Sequence, residues 1–331
     1  VKIEMAKDVE FNVYGNGTLI ANGKADQKIV FTGEVETEGY WRGIWINSPS
    51  NKNSLKHVEI KYGGAKYYDW DGEAMLWVSA DNNGRITIQN CLFEGSEIYG
   101  LHVENGGNIP GFKANRFRDN GMTGVRLYAN AAGSLDTASN YNINNNEPYV
   151  EVRGGLLKDK QTWQNINVPY WFTSNNVTVK DDLTIKAGAD LRFAKEMEFN
   201  VYNNGSLNAV GTQNKMITFK GDLATHGHWR GIWINSPNSN NKLVYCEVAH
   251  AANQYYDWDG ESAIWVDSDS NGKLMIENCE IHHNSDWGLT VYNGGTVIPG
   301  TKADLLSKNN FHDNGLASNP NCSGNCHVNL K

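Results

Sequence analysis

The sequence lacks three features that would place it in common protein classes. It has no run of 18 apolar residues, so no segment is predicted to span a membrane. It has no Ala- and Leu-rich stretch with a helical period, so no helix is predicted. Its positive charges are not clustered, and the net charge of −8 argues against a nucleic-acid partner because phosphate binding needs a basic surface.

Cysteine is scarce, with five residues in a chain of 331. Cys322 and Cys326 lie in the short segment NCSGNC, where no further Cys or His pair completes a zinc site, so a local disulfide between them is predicted. Such a bond indicates an oxidising, extracytoplasmic compartment.

The dominant feature of the sequence is an internal repeat. Residues 1–107 align with residues 189–295 at a constant offset of 188, without a gap and with about half of the positions identical. EFNVY begins at Glu10 and at Glu198, and WRGIWINSP begins at Trp41 and at Trp229. The copies drift apart after NGG and rejoin at NRFRDNG (115–121) and NNFHDNG (309–315). The chain is therefore predicted to contain a duplicated unit.

The repeat also bears on the three remaining cysteines. Cys246 and Cys279 fall in the same register of neighbouring strands, and copy A has Val58 and Cys91 at the matching positions. Because Val replaces Cys at one of them, the position behaves as a small hydrophobe, and we expect reduced thiols in the core.

Each copy consists of short segments in which apolar and polar residues alternate. Period-two alternation bounded by Gly, Asn and Asp is the signature of β-strands. Like strands are spaced irregularly, by roughly 20–33 residues, with Asn-containing turns between them, and this favours a parallel solenoid over a sandwich or a propeller. The predicted fold class is all-β, a right-handed parallel β-helix.

One continuous β-helix is predicted over residues 1–331. It comprises repeat copy A at 1–121, connecting coils at 122–188, repeat copy B at 189–315 and a C-terminal cap at 316–331. A coil at Val177–Lys186 precedes copy B, whereas copy A begins at Val1 without one. Because an uncovered first strand would be an exposed edge, we expect the natural chain to extend upstream of Val1.

Several segments carry a resemblance to a known family. VTVKDDLTIKAGADLRF, GSLNAVGTQNKMITFKG, WRGIWI and LVYCEVAHA, in residues 177–251, resemble secreted bacterial right-handed β-helix proteins of the pectin-lyase-like superfamily. In that superfamily a Leu-Thr-Ile-x-x-Gly coil opens the solenoid, and Leu183–Gly188 matches it. The resemblance implies the fold and a location that is extracellular, periplasmic or on the outer surface of a bacterium. It does not specify activity, since the superfamily mixes lyases, hydrolases and non-catalytic surface proteins.

Stacking the apolar positions in register predicts columns of side chains. The interior column is Val13, Ile46, Val78, Val103 and Leu127. The residues just before them form an outer column of Asn12, Trp45, Trp77, His102 and Arg126, matched in copy B by Asn200, Trp233, Trp265 and Thr290. The next column is Tyr14, Asn47, Ser79, Glu104 and Tyr128, matched by Tyr202, Asn235, Asp267 and Tyr292. Each copy is thus predicted to present a pair of stacked tryptophans outside the interior.

An outward tryptophan pair needs a cover or a partner. A loop could fold over the pair and close an aromatic cluster. Alternatively the pair could form a sugar platform, because pyranose rings offer apolar C–H faces while Asn, Asp and Glu bind the hydroxyls.

The segment YYDWDGE occurs twice, at Tyr67–Glu73 and Tyr255–Glu261, just before the strands of Trp77 and Trp265. Three roles stay open: a capped turn ahead of a glycine, a Ca²⁺ site, or contacts to a sugar. The Ca²⁺ candidates are Asp69, Asp71, Asp257 and Asp259, and no other cofactor is predicted. The predicted ligand-binding residues are Trp45, Trp77, Tyr68, Asp69, Trp70, Asp71, Glu73, Trp233, Trp265, Tyr256, Asp257, Trp258, Asp259, Glu261 and Asp267.

Copy A also contains candidate catalytic residues. Glycosidases use paired carboxylates, and lyases need a base with a cation that neutralises a uronate. His102, Arg126 and Glu104 on adjacent strands would fit a lyase. Copy B has Thr290 in place of His102 and no clear equivalent of Arg126, so no complete acid–base set is duplicated.

Copy B instead has histidines that copy A lacks, namely His226, His228, His250, His282 and His283. Imidazoles that converge on one point would bind a metal ion, and histidines solvated in turns are the alternative.

Three functions follow from these observations. The first is a non-catalytic extracellular or cell-surface protein whose partner is a polysaccharide or a cell-surface glycan. The second is a polysaccharide lyase or glycoside hydrolase acting on the outer sheet of copy A. The third is a structural surface spike or adhesin. Retention of YYDWDGE in both copies favours binding or structure over catalysis.

Overall fold

The computed structural model describes residues 1–66, 73–253, 262–267, 269–292, 294–316 and 326–331. The fold is all-β, and its strands pair in long parallel sheets. The chain divides into two compact units, Val1–Arg153 with Ile166–Pro169 and Gly154–Asn165 with Tyr170–Lys331. The single continuous β-helix over 1–331 stays a prediction.

The first unit contains short strands and one helical turn. In chain order its elements are β1 (Lys2–Met5), β2 (Glu10–Tyr14), β3 (Ile20–Asn22), β4 (Ile29–Gly33), β5 (Gly43–Asn47), β6 (Ser54–Lys56), β7 (Val58–Lys61), β8 (Ala74–Val78), β9 (Thr87–Gln89), β10 (Leu92–Glu94), β11 (Tyr99–Val103), β12 (Arg116–Arg118), β13 (Val125–Tyr128), α1 (Ala129–Ala132), β14 (Asn140–Ile143) and β15 (Val150–Leu157), of which the part up to Arg153 belongs here. They form sheet A1 (β1-β4-β7-β10-β12-β14), sheet B1 (β2-β5-β8-β11-β13-β15) and sheet C1 (β3-β6-β9).

The second unit is built in the same way. Its elements are β16 (Gln161–Trp163), β17 (Tyr170–Val179), β18 (Asp182–Ile185), β19 (Asp190–Phe193), β20 (Glu198–Tyr202), β21 (Ser206–Val210), β22 (Ile217–Gly221), β23 (Gly231–Asn235), β24 (Lys242–Val244), β25 (Cys246–Ala249), β26 (Ser262–Val266), β27 (Lys273–Glu277), β28 (Glu280–His282), β29 (Trp287–Val291), β30 (Thr296–Ile298), α2 (Lys302–Lys308), β31 (Asn310–His312) and β32 (Val328–Leu330). They form sheet A2 (β17-β19-β22-β25-β28-β31), sheet B2 (β17-β20-β23-β26-β29-β32) and sheet C2 (β16-β18-β21-β24-β27-β30). The first half of β17 pairs in A2 and its second half in B2.

The predicted interior column is confirmed. Val13, Ile46, Val78, Val103 and Leu127 are all buried, and each is the register partner of the next. Aromatic rings also stack in the interior. In the first unit the Phe93 and Phe117 rings lie 4.9 Å apart. Burial of each such side chain contributes about 1.5–3 kcal/mol, so the alternating pattern fixes which face of every strand points inward.

Buried asparagines close the turns between strands. Asn120 accepts a hydrogen bond from the Ser96 backbone N–H at 3.1 Å and donates to the Asn145 side-chain oxygen at 2.8 Å. In the second unit Asn284 likewise accepts from the Ala251 N–H and donates to the Asn314 side chain, both at 2.8 Å. Each amide satisfies backbone groups that the turn would otherwise leave buried and unpaired, and this explains the Asn-rich turns of the sequence.

The expectation of no helix is wrong for two short segments, α1 and α2. Helix α2 begins after Thr301, whose hydroxyl accepts a hydrogen bond from the Asp304 N–H at 3.1 Å. This N-cap satisfies one of the free N–H groups at the helix start. No helix in the described part of the chain is long and apolar enough to cross a membrane.

The cysteines fall into two groups. Cys91, Cys246 and Cys279 are buried free thiols, which confirms the expectation of reduced core cysteines. Cys326 is disulfide-bonded, and its predicted partner Cys322 lies outside the described residues.

Candidate functional site

The outer column of sheet B1 has the predicted register. Asn12 pairs with Trp45, Trp45 with Trp77, Trp77 with His102 and His102 with Arg126. Glu151 extends this column by one strand beyond the prediction, as the partner of Arg126. We call the side chains of Asn12, Trp45, Trp77, His102, Arg126 and Glu151 the B1 column.

Aromatic rings stack along the B1 column. The Trp45 and Trp77 indoles lie 4.9 Å apart with their planes at 9°, and the His102 ring follows at 6.3 Å and 8° from Trp77. Tyr14, half of whose surface is exposed, meets Trp45 edge-on at 5.0 Å. Because the Trp faces contact neighbouring rings, a sugar on this column would meet ring edges rather than open indole faces.

Sheet B2 repeats the arrangement with Asn200, Trp233, Trp265 and Thr290 in successive register, and we call these residues the B2 column. The Trp233 and Trp265 rings stack at 5.4 Å and 23°. Tyr202 meets Trp233 edge-on at 5.2 Å, as Tyr14 meets Trp45. The two units therefore present the same aromatic motif at matching sequence positions.

Interior and outer tryptophans differ in their hydrogen bonds. The interior indoles of Trp41 and Trp229 donate to the backbone oxygens of Lys61 and Ala249, both at 2.8 Å. On the outer face, Trp233 donates to Asp267 at 3.0 Å.

The remaining indoles of the two columns lack such a partner. Within the described parts of the chain, the buried Nε1 atoms of Trp45, Trp77 and Trp265 have no hydrogen-bond acceptor. In the second unit the side-chain oxygens of Asn200, the register partner of Trp233, and of Asn235 have no donor among the described residues. Because a buried unpaired polar group costs about 1–3 kcal/mol, the outer face of both B sheets holds unused hydrogen-bonding capacity.

The candidate catalytic residues are not in an environment that suits a lyase site, which needs an accessible base. His102 is 7% exposed, and burial, with the nearby Arg126 and Arg153 charges, lowers the pKa of His102 to about 3. Arg126 lies 3.5 Å from the Glu151 carboxylate and over the Tyr99 ring. An imidazole with so low a pKa is a weak base at neutral pH.

Glu104 stabilises a turn. Its carboxylate accepts hydrogen bonds from the Ala80 N–H at 2.6 Å and the Ser79 hydroxyl at 3.2 Å. Asp267, at the Ser79 position of the second unit, instead accepts from Trp233 and from the Asp269 N–H. The polar column beside the tryptophans thus differs in detail between the units.

Most of the repeated acidic loop lies outside the described residues. This applies to Tyr68, Asp69, Trp70, Asp71, Tyr256, Asp257, Trp258, Asp259 and Glu261, and therefore to all four Ca²⁺ candidates. Glu73 is described, is half-buried, and its backbone oxygen accepts from the Tyr99 N–H at 3.1 Å.

Sheet A2 brings together three histidines, His282, His283 and His312. One potential ligand atom of each lies within 4.8 Å of the other two. The Nδ1 atoms of His282 and His283 are 2.6 Å apart, and the His282 and His312 rings stack at 4.8 Å and 3°. Burial is the main reason that the pKa of His283 lies below its ordinary value.

Carboxylates surround these histidines, and we call the three histidines with Glu247, Glu280 and Asp313 the A2 cluster. His282 Nε2 is 3.1 Å from Glu247, whose carboxylate also accepts from Lys220 at 2.9 Å. His312 lies between two carboxylates, with Nε2 3.0 Å from Glu280 and Nδ1 2.7 Å from Asp313.

Two other predicted histidines border the A2 cluster, and one lies apart from it. The rings of His226 and His250 are 5.4 and 6.3 Å from that of His283. His228 Nε2 instead lies 2.5 Å from Asp222.

Sequence reasoning missed His312 and the three carboxylates. Glu247, His312 and Asp313 lie about 30–35 residues away from His282 along the chain, whereas Glu280 lies two residues before it on β28. Only strand pairing places Glu247 against Glu280 and His282 against His312. The sequence did contain an indication of His312, because the aligned segments NRFRDNG and NNFHDNG place His312 at the position of Arg118.

Comparison of the chain with protein-family models, with curated protein sequences and with solved structures finds no significant match.

Proposed function

We propose that this protein is a non-catalytic, glycan-binding protein of the bacterial cell surface or the extracellular space. Its binding surface is the outer face of sheets B1 and B2, around the B1 and B2 columns. The partner is a polysaccharide or a cell-surface glycan, and each unit offers an equivalent contact region.

The observation that carries this proposal is the unpaired hydrogen-bonding capacity of that face. Donors at Trp45, Trp77 and Trp265 have no acceptor among the described residues, and the amide oxygens of Asn200 and Asn235 have no donor there. A sugar hydroxyl both donates and accepts, so a polyol that displaces the side chains covering these buried atoms can satisfy both kinds of group at once. The adjacent Tyr14 and Tyr202 rings supply apolar contact area.

The proposal includes a particular fold and origin. The parallel sheets and the Leu183–Gly188 coil support a right-handed β-helix of the pectin-lyase-like type. A duplication is supported by the strand bounds, since Glu10–Tyr14 and Glu198–Tyr202, like Gly43–Asn47 and Gly231–Asn235, differ by the offset of the sequence repeat.

A location outside the cytoplasm has independent support. Cys326 is disulfide-bonded, and such bonds persist mainly in oxidising compartments.

Binding has better support than catalysis. The acid–base set predicted in copy A has a buried His102 with a pKa of about 3 and a Glu104 that stabilises a turn. The feature common to both units is aromatic and amide-bearing, which suits recognition of a neutral or weakly charged glycan.

A glycan array followed by titration of the best ligand tests the proposal. Trp77→Phe and Trp265→Phe each remove one unpaired N–H while keeping an aromatic ring in the stack. Each change should weaken binding about 5- to 10-fold if the N–H donates to the sugar, because a single hydrogen bond contributes about 1 kcal/mol or slightly more.

Trp171→Phe is the matched control, because the Trp171 indole lies on sheet A2 and donates to Asp222 at 2.8 Å. It should leave glycan affinity within about twofold of wild type. Failure of the array to detect any ligand, or equal affinity of Trp77→Phe, Trp265→Phe and the unmodified protein, would contradict the proposal.

A further inference from the structure

The hydrogen bonds of the A2 cluster require more positive charge than neutral imidazoles supply. Glu247 can only accept, so His282 carries its proton on Nε2, and its Nδ1 presents a lone pair to His283 at 2.6 Å. His312 has a carboxylate at each ring nitrogen, yet a neutral imidazole has one N–H. Satisfying both carboxylates therefore takes a second positive centre at Nδ1 of His312, which is either a proton or a bound cation.

The first unit has an ion-pair ladder at the positions that match the A2 cluster. Lys61 bridges Glu59 and Glu94 at 3.0 and 3.2 Å, and Arg118 also pairs with Glu94. In the second unit Ala249 replaces Lys61, His312 replaces Arg118 and His282 replaces Glu94, while Lys220 stands at the position of Thr32. Glu247 and Asp313 match Glu59 and Asp119 of the first unit, whereas Glu280 stands at the position of Leu92. Of the three carboxylates, only Glu247 pairs with a lysine, Lys220.

We propose that the A2 cluster binds one divalent transition-metal ion of the Zn²⁺, Ni²⁺ or Cu²⁺ class. His282, His283 and His312 supply the nitrogen ligands, and Asp313 supplies a carboxylate oxygen. The ion takes the place of a proton at Nδ1 of His312, beside Asp313. This site is separate from the proposed glycan surface and does not depend on it.

The distances suit such an ion. Zn–N bonds of about 2.0–2.1 Å place tetrahedral ligand atoms about 3.3 Å apart, and the candidate ligand atoms here lie between 2.6 and 4.8 Å apart. Imidazole selects these borderline ions over Ca²⁺ or Mg²⁺, which prefer oxygen ligands.

The surroundings of the ligands also match those of metal sites. Glu247 and Glu280 accept from the Nε2–H of His282 and His312, which orients both rings, and the two Nδ1 atoms face the other proposed ligands His283 and Asp313. Carboxylates that hold the far nitrogen in this way are a regular feature of histidine metal sites. The His282 and His312 rings lie nearly parallel on paired strands.

The test uses the full chain, dialysed against a chelator and titrated calorimetrically at pH 7.5 with Zn²⁺, Ni²⁺ or Cu²⁺ as the chloride salt. His283→Gly removes one ligand at a position with φ of +52°, where glycine is well tolerated and where the first unit has Gly95. His57→Gly is the matched control, because His57 has φ of +49° and lies in the first unit. Circular dichroism of each variant confirms folding.

We expect one ion per chain with micromolar or tighter affinity. His283→Gly should weaken the affinity for the ion by about tenfold or more, and His57→Gly by no more than about twofold. In the Cu²⁺ form, electron paramagnetic resonance should show hyperfine coupling to three nitrogens, reduced to two in His283→Gly. Absence of saturable binding, or unchanged affinity in folded His283→Gly, would overturn the proposal.

Discussion

The Trp233 indole donates a 3.0 Å hydrogen bond to the buried carboxylate of Asp267, whereas the indole of its stacking partner Trp265 has no acceptor in the described ranges. Two adjacent, stacked tryptophans thus differ in one hydrogen bond. The first unit has Ser79 at the Asp267 position, and there the Trp45 indole is also unpaired.

This difference predicts unequal effects of the same substitution. Trp233→Phe removes a bond to a charged acceptor and leaves Asp267 short of a donor, whereas Trp265→Phe removes an unpaired donor. We expect Trp233→Phe to lower the free energy of unfolding by about 1–3 kcal/mol more than Trp265→Phe does. Urea denaturation of the two variants measures the difference, and equal losses would show that the Trp233–Asp267 bond contributes nothing.

His102 predicts a specific pH dependence of stability. Its folded-state pKa of about 3 lies below the ordinary value of 6.5, so the unfolded chain binds a proton that the folded protein does not. The stability due to neutral His102 is complete above pH 6.5 and is lost progressively as the pH falls towards 3. His102→Thr places the residue of the second unit at this position and removes the titration.

Urea denaturation at several pH values tests this dependence. Between pH 7 and pH 4.5 the wild-type protein should lose about 2–3 kcal/mol more than His102→Thr. Parallel pH profiles for the two proteins would mean that His102 titrates normally in the folded state.

The buried asparagines in the turns should contribute strongly to stability. Asn120→Ala leaves the Ser96 N–H and neighbouring groups buried without partners and should cost about 2–5 kcal/mol of unfolding free energy. Asn146→Ala, at an exposed position in the next turn, should cost less than about 0.5 kcal/mol. Thermal unfolding of both variants gives the comparison, and a mild effect of Asn120→Ala would argue against the hydrogen-bonded ladder.

The core thiols should be unreactive in the native protein. Burial raises the pKa of Cys91 to about 12, and burial also raises the pKa of Cys246. Because the thiolate is the nucleophile, a disulfide reagent at pH 8 should label neither these two nor Cys279 until denaturant is added. Mass spectrometry locates the label, and rapid native labelling of any of the three would contradict their placement in the core.

Much of the B sheets could be predicted from the sequence, because period-two alternation and the constant repeat offset together specify strand register. Trp45 and Trp77 are paired as expected for that reason. The orientation of their rings was not predictable, since side-chain torsions depend on neighbours on both sides. Helix α2 was missed because its seven residues are too few to show a period, although Thr301 and Asp304 form a recognisable N-cap.

The A2 cluster could not be predicted from the order of residues along the chain alone. His282 and His283 are adjacent and conspicuous, but their partners Glu247 and His312 become neighbours only through pairing between β25, β28 and β31. A sequence comparison identifies which positions changed between the copies, and the pairing shows which of those changes meet in space.

Sheets A1 and A2 keep the same buried apolar positions while their outward residues form an ion-pair ladder in one and a histidine–carboxylate cluster in the other. The outward residues of these sheets can therefore change while the backbone and the buried residues stay the same. Substituting the outward residues at one register position would place new side chains in a line, roughly 4.8 Å apart, which is the spacing of neighbouring strands.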